Sequence, residues 1–417
     1  MPIIRIKKLI FGGQGLGQIN GKAVFVWNAL PDEDVEFEYT SNKKNFAEGI
    51  ATKILTPSPH RIEPKEKHFL STSPWEILDY KAENETKKQI AIETYGRNGG
   101  LILQENPPKI EFNENEYGYR NKIEFNFTKL QSNQISLAFS NRNSHNFIPV
   151  ESSLLAKPEL NLVAQKILQW INNIRLPLHY LQNLTLKSNQ KNQVIASLSV
   201  SSNINFSNFP ALNNQFIGFS VSKNSEIIHD NGQNYLTDEI LGAPLAYDID
   251  SFFQVNIPMF IKALKDIAAF TNPKTPMIDF YSGVGAISLP ISKNRARCTL
   301  IDNNMKAIEF AKYNIKENNL LNCEAICTQS ENMTKLIARD KLIIFDPPRA
   351  GLNDKVTSRL LVSAPPRIIY LSCDLSTQAR DISRLSEKYK ISFLKLYNFF
   401  PRTPHIEGLC VLDRVSF

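Results

Sequence analysis

Of the five cysteines in this 417-residue chain, one stands where a nucleophile would be presented. Cys373 follows the apolar run Ile368, Ile369, Tyr370 and Leu371, and the polar stretch after it leads toward a helix. An open parallel sheet displays reactive groups at the carboxyl ends of its strands in this way. Only the thiolate attacks, and a free thiol with a pKa of about 8.5 is a few per cent ionised near neutrality. Such chemistry therefore needs a lowered pKa or a base that takes the proton during attack. The stretch FPRTPHIEG offers Glu407, held between a proline-stiffened turn and the final strand, with His405 as the rival base.

A second constellation points to a cofactor. The strand PMIDFY, with its acidic residue, runs into Ser282, Gly283, Val284 and Gly285, and a helix is expected to follow. The next strand ends in Asp302, roughly 20 residues on, placed to accept hydrogen bonds from ribose hydroxyls. Ser288 stands where a dinucleotide fingerprint would carry its third glycine. S-adenosylmethionine, which has no pyrophosphate, fits this turn better than NAD. Asp346, followed by Pro347 and Pro348, closes the strand KLIIFD. Prolines donate no N–H and stiffen the turn, so Asp346 would be held in the crevice beside the cofactor; its other reading is a helix N-cap.

The length suggests two or three domains at about 150 residues each. With 42% hydrophobic and 21% charged residues the composition is that of a soluble globular protein. No apolar run reaches the roughly 18–20 residues of a membrane span, and the first residues lack a signal peptide's core, so a cytoplasmic location and no membrane partner are expected. A net charge of +7 favours a polyanionic partner. The cysteines, all in the last third, show no metal-type pairing, so neither a disulfide nor a zinc site is expected.

These residues need three units to position them. Residues 1–59 read as a small β-barrel from their short alternating strands and Gly-rich turn. Residues 60–250 read as a linker and a central α+β domain, in which 78–109 is the stretch available to pack on the catalytic part. EILDYKAENETKKQIAIETYG reads as an exposed helix, and Leu160, Val163, Ile167, Ile171 and Ile174 as the core face of another. From Ser251 to the end, strands (PMIDFY, RCTLID, CEAIC, KLIIFD, RIIYLS, KISFLKLY, LCVLDRVSF) alternate with helices, notably MKAIEFAKYNIKENN. That is the α/β pattern of a doubly wound sheet.

The first unit, FGGQGLGQINGKAVFVWNALPDEDVEFEY, resembles a TRAM domain, an OB-type barrel of RNA-modifying enzymes, in which Lys7, Lys8, Lys22, Lys43, Lys44 and Lys53 would meet phosphates. The motifs YRNKIEF, SFFQVN, DFYSGVGAISL, FDPPRAGL, YLSCDLSTQARDI and FPRTPHIEG resemble, in order and spacing, those of the RNA uracil-5-methyltransferase family. The resemblance implies a Rossmann-like class I methyltransferase fold and S-adenosyl-L-methionine as donor. It also implies Cys373 as nucleophile, Glu407 as base, and Gln254, Tyr281, Asp302, Gln329 and Asp346 at cofactor- or base-contacting positions. The chemistry agrees: carbon-5 of uracil needs a thiolate on carbon-6 to become nucleophilic, and a base must then remove the carbon-5 proton.

The barrel resembles the 23S ribosomal RNA branch, with transfer RNA as the alternative substrate and a monomer as the expected state. Where cluster-bearing relatives carry four cysteines, this chain has Glu66, Thr72, Trp75 and a residue near Ser153, so no iron–sulfur cluster is expected. Ala286 and Gln329 depart from the family's cofactor residues, and Asp374 stands where Asn is common. As a like charge it would raise the thiol pKa, which lysine or arginine neighbours would have to offset. Competing readings are weaker: a cytosine-5 enzyme places a cysteine in the motif held here by DPPR, and an adenine-amino enzyme an aromatic residue where Arg349 stands. An RNA-binding assembly factor with little turnover is opposed by the intact Cys373 and Glu407.

Overall fold

The computed structural model describes every residue except 143–145, 205, 207, 416 and 417. Five strands, Ile3–Leu9, Gly15–Ile19, Lys22–Trp27, Asp34–Asn42 and Phe46–Thr56, close into a barrel. Their alternation turns Ile4, Ile6, Val24, Val26, Val35 and Phe37 inward, and closure leaves no free edge to pair with another chain.

The second unit is a seven-stranded sheet whose middle strands are Val194–Val200, Leu181–Ser188 and Lys122–Lys129. Against it lies the helix Pro158–Asn173, which buries Leu160, Val163, Ile167 and Ile171 and leaves Ile174 partly buried.

The third unit is an eight-stranded sheet. In spatial order its strands are Cys323–Cys327, Cys298–Asp302, Met277–Phe280, Leu342–Phe345, Arg367–Ser372, Glu407–Arg414, Tyr389–Tyr397 and Lys109–Glu111. The first five run parallel, and Glu407–Arg414 is antiparallel to both its neighbours. Strand order reverses between Met277–Phe280 and Leu342–Phe345, which opens a ligand crevice at their carboxyl ends. This is the Rossmann-like α/β sheet expected from the alternating pattern; the last two residues of LCVLDRVSF lie outside the described residues. Its last strand, Lys109–Glu111, comes from ahead of the central sheet in sequence and pairs in parallel with Tyr389–Tyr397.

Helices cover both faces and start on side-chain caps: Asn256 for Ile257–Ala269, Asn304 for Met305–Glu317, Asn353 for Asp354–Ser363 and Asp374 for Leu375–Leu385. Two expectations are corrected. After the glycine turn there is only a 3-10 turn, Leu289–Ile291, with Pro290 inside it; proline supplies no N–H to carry an α-helix on. The helix Tyr80–Gly99 is not exposed: Glu83, Lys87, Ala91 and Tyr95 are fully buried. Its polar residues are matched by distant ones, which hydropathy along the chain does not register. Lys87 Nζ donates to Glu83 Oε1 (2.8 Å), Asn398 Oδ1 (2.7 Å) and the Phe400 carbonyl (3.0 Å). Among the described residues no helix is long and apolar enough to cross a membrane.

Candidate active site

Cys373 lies between the strand Arg367–Ser372 and the helix Leu375–Leu385, half-buried. Asp374 caps that helix, its Oδ1 accepting from the backbone N–H of Ser376 and Thr377 at 3.0 Å each. Thr377 Oγ1 in turn donates to the Arg349 carbonyl (3.0 Å), which ties the helix to the DPPR turn. Burial, then the charges of Glu407 and Asp346, push the Cys373 thiol up to about 11; Arg349 opposes this and Asp374 adds the smallest rise. The expected like-charge effect of Asp374 is thus present but minor, and Arg349 is the compensating cation.

Sheet register explains why Glu407 faces the thiol. Ser372 pairs with Gly408, so the next residues outward, Cys373 and Glu407, stand opposite one another across adjacent strands. Gly408 is required by packing: a Cβ there would collide with Tyr95 Oη and lie 2.7 Å from Gln378 Oε1. Glu407 is buried (4% exposed), and its Oε2 has no hydrogen-bond partner among the described residues. Burial and then the charge of Asp346 raise its carboxyl well above the usual range. His405, by contrast, is exposed and lines a neighbouring cavity. Desolvation, then the charges of Arg349, Arg120, Lys87 and Arg142, lower its imidazole to about 4. A weakly basic ring at that position suits proton removal less well than Glu407.

Asp346 ends the strand Leu342–Phe345, and Gln254 Nε2 donates to its Oδ2 at 3.4 Å. Burial and the nearby Asp279 push Asp346 up to about 7. Asp279 itself, inside Met277–Phe280, is fully buried; burial raises it to about 7 as well, the charge of Asp302 adds to the rise, and Ser288 opposes it. The central sheet steadies Gln254: Asn121 Nδ2 donates to its carbonyl (3.1 Å), and Lys187 Nζ donates to the Asp248 carbonyl (2.9 Å) and to that of Ser251 just upstream.

Beside these acids a cavity of about 560 Å³ is lined by Tyr281, Asp302, Gln329, Ser330, Pro348 and Leu352, within the roughly 300–1,000 Å³ of small-molecule sites. Asp302 accepts from Gly283 N (2.9 Å) and Asn304 N (2.8 Å), which aims the carboxylate and leaves lone pairs for ribose hydroxyls. Tyr281 and Gly285 both have positive φ, +63° and +90°, and a Cβ on Gly285 would lie 2.9 Å from Leu300 Cδ2. Ser330 Oγ donates to Tyr281 Oη (2.9 Å). Buried carboxylates with few neutral partners and no cation beside them are costly, and a cationic ligand relieves that cost. The sulfonium and ammonium groups of S-adenosylmethionine are of that kind, so the residues present fit this donor.

Fold and crevice together define the class: an S-adenosylmethionine-dependent methyltransferase. Known proteins narrow it further. The chain belongs to the tRNA (uracil-5-)-methyltransferase family, whose profile matches residues 99–415. It is similar to an uncharacterised RNA methyltransferase of Fusobacterium nucleatum, 29% identical over 444 residues that cover 99% of this chain and 95% of the relative. One from Aquifex aeolicus is 29% identical over 430 residues and 98% of each chain. Its fold is similar to that of the Pyrococcus abyssi tRNA (uracil-54, C5)-methyltransferase solved with S-adenosyl-L-homocysteine (TM-score 0.80, 21% identity, 98% of this chain and 99% of that one).

The residues singled out from sequence thus fall into two adjoining groups: Cys373, Glu407, Asp346 and Gln254 on one side, and Tyr281, Gly283, Gly285, Asp302 and Gln329 on the other, Gln329 being exposed at the cavity rim. Asp279 was noted in sequence only as an acid beside the glycine turn. Its signal was an acidic residue inside an otherwise apolar four-residue strand. The positions aligned with cluster cysteines make other contacts: Glu66 Oε1 accepts from Leu154 N (2.7 Å), Thr72 Oγ1 meets His68 Nδ1 (3.1 Å), Trp75 Nε1 donates to the Gly13 carbonyl (3.0 Å), and Ser153 N donates to Asn161 Oδ1 (3.0 Å). Of the barrel lysines, Lys8 pairs with Glu93 (2.5 Å), while Lys43, Lys44 and Lys53 are exposed.

Proposed function

We propose that this enzyme methylates carbon-5 of a uridine in RNA through a covalent adduct on Cys373, with ribosomal RNA as the first substrate to test. The observation that carries the reading is the pairing of Ser372 with Gly408, which sets the thiol opposite a buried carboxylate with a free oxygen. With its pKa near 11 the thiol is protonated at neutral pH. Its proton therefore leaves as Sγ adds to carbon-6, and Asp346, at about 7, is matched to receive it. Gln254, Tyr281, Gly283, Gly285, Asp302, Gln329 and Asp346 hold the donor, which when bound supplies an electrophilic methyl group on a sulfonium. The adduct's enolate directs electron density to carbon-5, which would take the methyl group as its bond to sulfur breaks, leaving the neutral thioether S-adenosylhomocysteine. Glu407 then removes the carbon-5 proton, the electron pair re-forms the carbon-5–carbon-6 double bond, and the thiolate leaves. Phe252, exposed at the entrance, and the basic residues of the barrel and central sheet would face the RNA.

Transfer RNA is the second reading. The Pyrococcus abyssi tRNA enzyme is matched over 98% of this chain, barrel included, so a barrel does not separate the two substrates. Mapping 5-methyluridine by mass spectrometry in both RNAs, from cells with and without the protein, decides between them: loss from ribosomal RNA supports the first reading, loss from transfer RNA the second. For the chemistry, Cys373→Ser is expected to abolish uracil methylation, and Glu407→Gln to accumulate a protein–RNA adduct that survives denaturation. Wild-type turnover by the serine variant would remove Cys373 from the mechanism.

A further inference from the structure

A second cavity, of about 530 Å³, lies where the three units meet. The barrel contributes Gly12 and Trp27, the linker Ser71, Thr72 and Pro74, the central unit Arg120, Lys122, Phe139 and Arg142, and the catalytic unit Val255 and the 403–405 turn. Three cations line it, and among the described residues none of them forms an ion pair: Arg120 lies over the Tyr119 and Phe400 rings, and Arg142 over the Trp27 ring at 3.9 Å with a hydrogen bond to the Leu70 carbonyl. Glu124 is the one carboxylate in the wall. The cavity adjoins the reaction centre at two places. Val255 follows Gln254, which reaches Asp346, and His405 precedes Glu407 by two residues.

We propose that this cavity seats a nucleotide flanking the methylated uridine, its phosphate among Arg120, Lys122 and Arg142 and its base against Phe139 and His405. The proposal rests on the RNA-uridine reading above and adds a feature of the substrate. At least two nucleotides must leave the stack, the target and a neighbour. Three cations against a single carboxylate, Glu124, make the wall attractive to a phosphate. His405 offers an exposed ring, and Phe139, already stacked on Phe125 with His68 edge-on, offers what its half-buried ring leaves toward the cavity. Aromatic surfaces accept any base. Extruding a uridine costs a few kcal/mol, and seating its neighbour prevents the strand from restacking.

The test is binding of a short fluorescent oligouridylate to the full chain across a salt series, with S-adenosylhomocysteine saturating the donor cavity. Each phosphate contact removed lowers the slope of log K against log salt by about 0.7 for a single strand. Arg142→Gln and Arg120→Gln are each expected to show that loss. Phe139→Leu and His405→Ala are expected to weaken binding at least about fivefold while keeping the slope. Unchanged slopes in both arginine variants, or no binding by the wild-type chain, overturn the proposal. A lowered slope with wild-type affinity in both ring variants overturns the seating of a base. None of these readouts depends on turnover, so failure of the methylation chemistry is seen separately, as absence of methyl label in any RNA.

Discussion

Lys87→Met isolates the buried polar cluster that shapes the approach to Glu407. Lys87 is fully buried, and its ammonium serves Glu83, Asn398 and the Phe400 carbonyl at 2.7–3.0 Å. Burial lowers its pKa, and the adjacent Glu83 carboxylate offsets part of that. Removing one partner of such a pair costs about 3–5 kcal/mol, because the other charge stays buried and uncompensated. Here Glu83 keeps some support: it accepts twice from Arg402 N (3.1 Å) and once from Asn398 Nδ2 (3.2 Å), and its Oε2 lies 3.7 Å from the Arg402 guanidinium. The low end, about 3 kcal/mol, is therefore expected, or roughly 6–12 °C in Tm for a unit of this size.

The assay is thermal melting followed by circular dichroism, with methyl transfer measured well below the transition. Turnover should fall as well, because Asn398 and Phe400 anchor the turn through Arg402 that leads to Glu407. Glu83→Gln combined with Lys87→Met should recover much of the loss, since no charge is then stranded. Melting of Lys87→Met within about 2 °C of wild type, below the shift expected for 1 kcal/mol in a large unit, would refute the assignment of this cluster as a structural brace.

Three further outcomes follow from the site. With Asp346 near 7, it is protonated below that pH and ionised above; kcat/KM should rise through about pH 7 and then level off. A rise continuing toward the thiol value of about 11 would mean that the thiolate forms ahead of attack. Asp374→Asn keeps a good N-cap and removes a charge that raises the thiol pKa, so iodoacetamide should alkylate Cys373 modestly faster at fixed pH, with Tm unchanged. Gly408→Ala forces a methyl group against Tyr95 and Gln378. Overpacking of this kind costs about 1–3 kcal/mol, and displacement of Glu407 should lower turnover more than tenfold while donor binding, followed by calorimetry, is retained.

Much of the candidate site was legible in sequence because its signals are local. Cys373 closes an apolar run, Asp346 precedes two prolines and Asp302 ends a strand at the right distance from Gly283, each within one segment. What escaped depends on distance or on a single breaker. The helix Tyr80–Gly99 reads as exposed because Glu83, Asn84 and Lys87 are polar, yet their partners lie more than three hundred residues away. The turn after Gly285 reads as a helix until Pro290 is weighed. The cations of the three-unit cavity belong to separate elements, and only the tertiary fold gathers them.

The placement of Lys109–Glu111 beside Tyr389–Tyr397 bears on how the protein is made. Synthesis delivers the helix Tyr80–Gly99 and this edge strand first, then the whole central sheet, and only afterwards the strands that complete their sheet. Lys87 meets Asn398 across 311 residues, a wait of about 15–60 s at about 5–20 residues per second. Throughout that interval an unpaired edge and a helix built for burial stay open to water, to chaperones or to another nascent chain. The central sheet can finish folding within the same window, so an RNA-facing surface would exist before there is an enzyme behind it.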